Sequence, residues 1–289
     1  MYRLTTTILI ADIRYPHPMG TLYVVTTPIG NLEDLTLRAI RILSEVGLVA
    51  AEDTRQSRKL LTHLGISKRV VSYNQHNAPQ RTPQLLQSLL KEDVALVTDA
   101  GVPAVSDPGA DLVRAAAEQG TNVIAIPGPS AVTTALSVSG MGGDSFRFVG
   151  FPPRARKSRR NLLAGLEAEP STLVFFESPH RIRALLEDLV VVFRDRPIAV
   201  CRELTKFYEE VFRGTASDSL AHFDNPRGEF VVIVQGAPHR KEIQVDTAGA
   251  RTALAALKAQ GQTRRDAVVQ VTDAFAITKR EAYRLWLEE

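Results

Sequence analysis

Six short segments, "TTPIGN", "AEDTR", "TDAGVP", "IPGPSA", "ESPHR" and "RELTK", each follow an apolar run and each supply a small residue, a proline or a charge. One such segment is an ordinary turn. Six of them at the ends of strands would line a cleft. Glycine and proline there let main-chain groups approach a ligand closely and keep them stiff. Main-chain N–H and C=O groups read the edge of an adenine without any charged side chain. The longest of these turns runs from Asp99 to Gly109, between the apolar run Val94–Val97 and a helix over 110–117. Plain strand-to-helix turns take about two to six residues. This one is longer, carries acids and is stiffened by proline, which suits one wall of a pocket. Asp99 is placed to accept from hydroxyls or to sit near a cation.

Something must position these turns. "TLYVVTT", "LVAAED", "RVVSY", "VALVTD" and "NVIAIPG" read as strands, separated by helical stretches such as "NLEDLTLRAIRILSEVG", which Gly47 stops, and "TRQSRKLLTHLG", which ends at Gly65. Strands alternating with helices predict an α/β layer with a mostly parallel sheet. Ligands of such sheets sit beyond the carboxyl ends of the strands. "PGPSAVTTALSVSGMGG" breaks the rhythm with a small-residue helix. After it come "FRFVGF", a basic loop, "STLVFFES", the helix "HRIRALLEDLVVVF", and the strands "PIAVCREL", "EEVFRGT" and "EFVVIVQG". With more strands per helix, this block predicts a mixed sheet. The organisation expected is an N-terminal extension over residues 1–19, an α/β domain over 20–127, a second over 128–238 and a helical tail over 239–289. In the tail, Thr263 precedes one short helix with Val268, Val271 and Phe275 on one face. Thr278 and Glu281 form a capping-box pattern before another. Two such helices read as a helix-turn-helix or as a packed cap.

Composition removes several classes. With 44% hydrophobic and 23% charged residues the chain is an ordinary globular protein. Cys201 is the single cysteine, so there is neither a disulfide framework nor a cysteine-rich metal site, which suits a reducing cytoplasm. No apolar run reaches the roughly 18 residues of a membrane span. The apolar patch Ile8–Ala11 is too short, and too interrupted by Asp12 and Arg14, for a signal peptide; residues 1–19 read as a disordered extension or as the result of an upstream start codon. Neither a P-loop nor a G-x-G-x-x-G turn occurs, and the histidines lack metal-ligand spacing. The net charge of +3 says little by itself. In "RARKSRR", however, five of seven residues are cationic, which reads either as a solvated loop or as a phosphate-contacting patch.

Taken in order and spacing, "TPIGNLEDLTLRAI", "AEDTR", "TDAGVPAVSDPG", "PGPSA", "FVGFPPR", "ESPHRI", "RELTKFYEEV" and "GEFVVIV" closely resemble the small-subunit ribosomal RNA cytidine 2′-O-methyltransferases of the tetrapyrrole methylase superfamily. The resemblance runs from Gly20 to the C-terminus. Two departures are small: Val102 stands where the family more often has threonine, and the second proline of "GFPPR" replaces an apolar residue. The resemblance implies S-adenosylmethionine as methyl donor, folded into the cleft between two α/β domains. It also implies a homodimer and, as acceptor, the 2′-hydroxyl of a cytidine in the decoding region of 16S rRNA within the small ribosomal subunit. No metal is called for. The donor pocket implied uses Pro28, Asp99, Gly101, Val102, Ser130, Ala131, Phe176, Cys201 and Glu229. Ser130 also reads as a helix N-cap, and Phe176 and Cys201 as strand packing.

For methyl transfer a weakly acidic hydroxyl must lose its proton. The candidate carboxylates are Asp53, Glu177 and Glu203, with Lys206 or Arg55 stabilising a developing alkoxide or a phosphate beside it. Asp53 also reads as the N-cap of the helix beginning at Thr54, and Glu203 and Lys206 as an ion pair near Arg202. The RNA-contacting candidates are Arg154, Arg156, Lys157, Arg159 and Arg160, together with Arg264, Arg265, Lys279 and Arg280 in the tail. Two other readings stay open: methylation of a small tetrapyrrole, and a non-catalytic ribosome-binding factor.

Overall fold

The computed structural model describes residues 19–238, 247–275 and 277–288. The extension expected over 1–19 therefore lies outside the described residues apart from Met19, as do residues 239–246 of the tail. The chain divides into two compact units, the first ending at Ala237 and the second running from Pro238.

The first unit contains two sheets. In one, β1 (Thr21–Val25), β2 (Leu48–Ala51), β3 (Arg69–Ser72), β4 (Val94–Val97) and β5 (Asn122–Ile126) lie in the order β3-β2-β4-β1-β5, and every pairing is parallel. Both faces of this sheet are covered. Val25, Val49, Ala51, Ala95 and Val97 pack with α1 (Leu37–Glu45) through Ala39, Ile42 and Leu43 and with α2 (Thr54–His63) through Leu61. Their neighbours Leu22, Leu48, Ala50, Val94 and Leu96 meet α3 (Ala78–Leu89) and α4 (Ala110–Glu118) on the opposite face. Burial on both faces is why these strands read as unbroken apolar runs rather than as alternating ones.

The second sheet comprises β6 (Phe146–Gly150), β7 (Thr172–Glu177), β8 (Ile198–Arg202), β9 (Glu210–Gly214) and β10 (Phe230–Val234), in the order β6-β7-β10-β8-β9. Only β6 and β7 run parallel, so the sheet is mixed as expected. One face carries α6 (Arg156–Ala164), α7 (Ile182–Phe193) and α8 (Ala216–His222). The other carries α5 (Ala131–Ser139), and Ile29, from the loop after β1, joins that cluster.

Local chemistry moves three boundaries. The helix expected from Asn31 is broken: Leu32–Asp34 form a short 3-10 turn, and α1 starts only after Thr36, whose hydroxyl accepts the Ala39 N–H at 3.1 Å. It also ends at Glu45, with Val46 already extended, before Gly47. The segment read as a basic loop is helical from Arg156 onward.

In the second unit there are three described helices rather than two: α9 (Thr247–Ala259), α10 (Arg264–Phe275) and α11 (Lys279–Glu288). Thr263 and Thr278 cap the latter two, accepting from Asp266 N–H at 3.3 Å and Glu281 N–H at 3.2 Å. Ala250, Leu254, Val268, Val271, Ile277 and Leu285 form their shared core. Among the described residues no helix is long and apolar enough to cross a membrane.

Candidate active site

A cavity of about 510 Å³ opens beyond the carboxyl ends of β4, β7 and β8. Its first wall is the long turn after β4. Thr27 and Gly101 exchange main-chain hydrogen bonds of 2.9 and 3.0 Å, which rivets this turn to the loop after β1. The path then needs left-handed backbone repeatedly, at Gly101 (φ +86°), Ala104 (+68°) and Ser106 (+62°). At Gly109 (φ +142°) any Cβ would also lie 2.8 Å from Leu96 Cδ2, so only glycine closes the turn without strain.

This geometry gathers acids. The Thr98 hydroxyl donates to Glu52 Oε2 at 2.6 Å, and the Asp53 N–H donates to Asp99 Oδ1 at 3.1 Å. Burial pushes the Asp107 carboxyl up to about 6, and its neighbours Glu52 and Asp99 add to that; the nearby Thr98 hydroxyl opposes it. Burial raises Asp99 in the same way. Among the described residues no group of His, Cys, Asp and Glu is arranged to hold a metal ion.

The opposite wall is more apolar. Phe176 packs edge-on to Phe148 and Phe151, with ring centroids 4.9 and 5.6 Å away. Cys201 is fully buried, and that burial lifts its thiol to about 11, so it is packing rather than a nucleophile. Glu177 is 2% exposed, and burial raises its pKa too. One of its oxygens accepts the Ser178 N–H at 2.9 Å; the other lies 3.0 Å from Arg181 without an aligned hydrogen bond.

Eight of the nine expected donor residues line this cavity: Asp99, Gly101, Val102, Ser130, Ala131, Phe176, Cys201 and Glu229. Pro28 does not; its neighbour Ile29 does. Ser130 occupies the N-cap position of α5, yet its side chain makes no capping bond.

The expected catalytic residues divide differently. Only Glu177 lines the cavity. Asp53 caps α2 by accepting the Arg55 N–H at 2.8 Å, and its side chain pairs with the Arg55 guanidinium at 2.7 Å. That hydrogen bond holds Asp53 down at about 2 and raises Arg55, so neither is poised to move a proton. Lys206 Nζ bridges Glu203 Oε1 at 2.9 Å and Glu229 Oε2 at 2.8 Å. Burial alone would raise Glu203 and lower Lys206. The hydrogen bonds outweigh it, leaving Glu203 lowered and Lys206 raised, which marks a structural knot rather than an acid–base pair.

Among the RNA candidates, Arg154, Arg156 and Lys157 are exposed, as are Arg264, Arg265, Lys279 and Arg280 in the second unit. The Arg264 guanidinium lies 5.4 Å from the Tyr283 ring centre. Arg159 must be withdrawn as a phosphate contact. It is 5% exposed and bonded to Asp188 at 2.8 Å, with its remaining amino groups on main-chain oxygens of Pro153, Arg154 and Ala184. Sequence reasoning missed Glu52 and Asp107 as lining residues. The doublet Glu52-Asp53 signalled a charged strand end but not which carboxylate faces inward.

The profile of the Tetrapyrrole (Corrin/Porphyrin) Methylases matches residues 21–219. A curated relative from Halalkalibacterium halodurans, ribosomal RNA small subunit methyltransferase I, is 42% identical over 93% of this chain and 96% of its own. The protein of the same name from Thermotoga maritima is 46% identical; the alignment covers 99% of it but 75% of this chain, so a quarter of this chain has no counterpart there. Among solved structures, a diphthine synthase superposes with a TM-score of 0.59 at 16% identity, covering 75% of this chain and 89% of that one, a likeness of fold alone. Parallel and mixed sheets flanking a glycine-riveted turn, a profile match across both, and this identity over nearly two whole chains lead to one conclusion: the chain belongs to the tetrapyrrole methylase family and is a methyltransferase.

Proposed function

We propose that the chain transfers a methyl group from S-adenosylmethionine to small-subunit ribosomal RNA, at the 2′-hydroxyl of a cytidine in the decoding region, and that it works as a homodimer in the cytoplasm. The observation that carries this reading is the 42% identity to a curated small-subunit ribosomal RNA methyltransferase over 93% of this chain. The cavity supports the donor. Its volume of about 510 Å³ lies in the range of cofactor sites. The donor is cationic at sulfur, and Asp99 and Asp107 line the wall that would face such a charge. The two sheets stand for two domains, residues 20–127 and 128–238, with the donor between them.

The donor supplies an already activated methyl group on a sulfonium. The protein's task is to hold a ribose hydroxyl in line with it and to accept the hydroxyl proton. Asp99, Gly101, Val102, Ser130, Ala131 and Phe176 hold the donor, with Cys201 packing beneath and Glu229 at the rim. Glu177 receives the proton. It is the one candidate carboxylate that lines the cavity, and burial raises its pKa, which favours uptake of a proton. Arg154, Arg156, Lys157 and Arg160, and in the tail Arg264, Arg265, Lys279 and Arg280, contact RNA phosphates.

Transfer of labelled methyl from the donor to 30S particles, naked 16S rRNA or uroporphyrinogen tests the proposal. Label in cytidine 2′-O-methyl of either RNA substrate is the expected result. Label only in the porphyrinogen would assign the chain to tetrapyrrole chemistry. No label in any arm, with 30S binding intact, would make it a binding factor.

A further inference from the structure

Three arginines of α6 converge on one buried acid. Asp188 of α7 is fully buried. Its Oδ2 accepts the Arg159 Nε at 2.8 Å, and its Oδ1 accepts the Arg160 Nε at 2.6 Å with the Arg156 Nε 3.5 Å away. Arg159 alone would neutralise the carboxylate. Arg156 and Arg160 add two further guanidinium groups against their mutual repulsion, and their side chains remain 65% and 36% exposed. They stand four residues apart, one turn along the same face of the helix. Arg160 is hydrogen-bonded to Asp188 through Nε, and the Nε of Arg156 is its nearest atom to the same carboxylate; the exposure of both side chains keeps part of each guanidinium open to solvent. Two arginines held this way present paired N–H groups in the fixed geometry that matches a phosphate. The helix also begins here, at Ala155, which has no capping side chain, so its positive dipole end faces the same region.

We propose that Asp188 is a positioning residue for a two-arginine fork, Arg156 with Arg160, that takes one backbone phosphate of the substrate RNA. This rests on the ribosomal RNA reading and narrows it: Arg160 is fixed by its hydrogen bond and Arg156 is drawn to the same carboxylate, so part of the rotamer freedom of two long side chains is lost before binding rather than during it.

The test turns on a sign. Asp188→Asn removes a negative charge from a basic patch. If bulk charge governed binding, the affinity for in vitro-transcribed 16S rRNA would rise. The preset fork requires it to fall, by about tenfold, the equivalent of losing one charge-assisted contact. Arg156→Lys with Arg160→Lys keeps the charge but loses the Nε anchor, and the same fall is expected. Arg156→Ser with Arg160→Ser should weaken binding further and lower the salt slope by about one phosphate contact. Donor titration and thermal melts accompany each variant. Binding by Asp188→Asn as tight as wild type or tighter overturns the proposal. If that variant does not fold, the lysine pair decides, and wild-type affinity there overturns it. An unchanged affinity and salt slope in the serine pair would instead remove the RNA reading of α6, and the fork with it.

Discussion

At the ends of the parallel sheet, Glu52, Asp99 and Asp107 are met by a hydroxyl and by main-chain N–H groups. At the ends of the mixed sheet, Glu203 and Glu229 share Lys206, and Glu177 lies beside Arg181. Carboxylates therefore sit in two electrostatic settings at the ends of the two sheets, in the cavity lining at Glu52, Asp99, Asp107, Glu177 and Glu229 and just behind it at Glu203. Where a cation is bonded directly to a carboxylate, as at Glu203, its pKa goes down and the residue holds shape. Where burial dominates, as at Asp99 and Asp107, the pKa goes up, because no cation is hydrogen-bonded to the carboxylate to offset its desolvation. Glu177 is the exception on its wall: despite Arg181, burial prevails.

The largest way to break this comparison is through the turn that builds the acidic wall. Gly101→Val puts a branched side chain at φ +86° with its Cβ 3.4 Å from Ile29. The strain costs about 1–3 kcal/mol, and the added bulk enters the cavity. Calorimetry should show donor affinity reduced more than a hundredfold while the melt stays cooperative; unchanged affinity would mean that the donor binds elsewhere.

Glu177→Gln comes next. Removing a proton acceptor should lower kcat about a hundredfold and leave the donor dissociation constant within a few-fold. Equal losses in binding and turnover would make Glu177 a donor ligand or a structural residue instead.

Asp107→Asn sharpens the contrast between walls. Wild-type donor affinity should rise as pH climbs through about 6, where Asp107 ionises, and the variant should lack that rise and bind about tenfold more weakly at pH 7.5. Stability should move the opposite way. The folded-state pKa of about 6 lies above the ordinary aspartate value of 3.8, so the folded protein holds the extra proton and loses stability as pH rises across that interval. Allowing for partial solvent screening, the ionised group costs on the order of 1 kcal/mol above pH 6. Denaturant midpoints should therefore show the variant more stable at pH 7.5 and equal to wild type near pH 3.5. A variant no more stable at neutral pH would place Asp107 in a solvated setting.

Asp53→Asn should do least. Asparagine can still cap α2, and Asp53 is already paired with Arg55. Turnover should stay within twofold and the pH profile should not move. A tenfold loss would restore Asp53 as a catalytic candidate.

What was legible in the sequence follows from where the signal was local. Apolar runs such as Val94–Val97 named the strands because both faces of that sheet are buried. The turn at 99–109 announced itself by length, glycine and proline. The start of α6 did not, because Ala155 carries none of the usual capping groups and the two preceding prolines read as loop. Arg159 looked like its cationic neighbours because the acid that buries it, Asp188, lies 29 residues away on another helix. Likewise, choosing Glu52 over Asp53 for the cavity required the pleat of β2, which a single line of residues does not specify. The helix over Thr247–Ala259 falls in the tail expected to be helical, but alanines and Gly249 blur its periodic face, so it did not stand out as a helix of its own.

The paired main-chain bonds between Thr27 and Gly101 carry one last consequence, in time rather than in space. They splice a functional turn onto the end of the parallel sheet, so the amide of Gly101 shares the fate of core amides. Deuterium should reach it only in openings that disrupt the sheet itself, on the scale of global unfolding rather than loop motion. Slow exchange at Gly101 would mean that this wall of the cavity stands as long as the sheet does, in contrast to the opposite wall, where Phe151 is 55% exposed at the edge of the cavity.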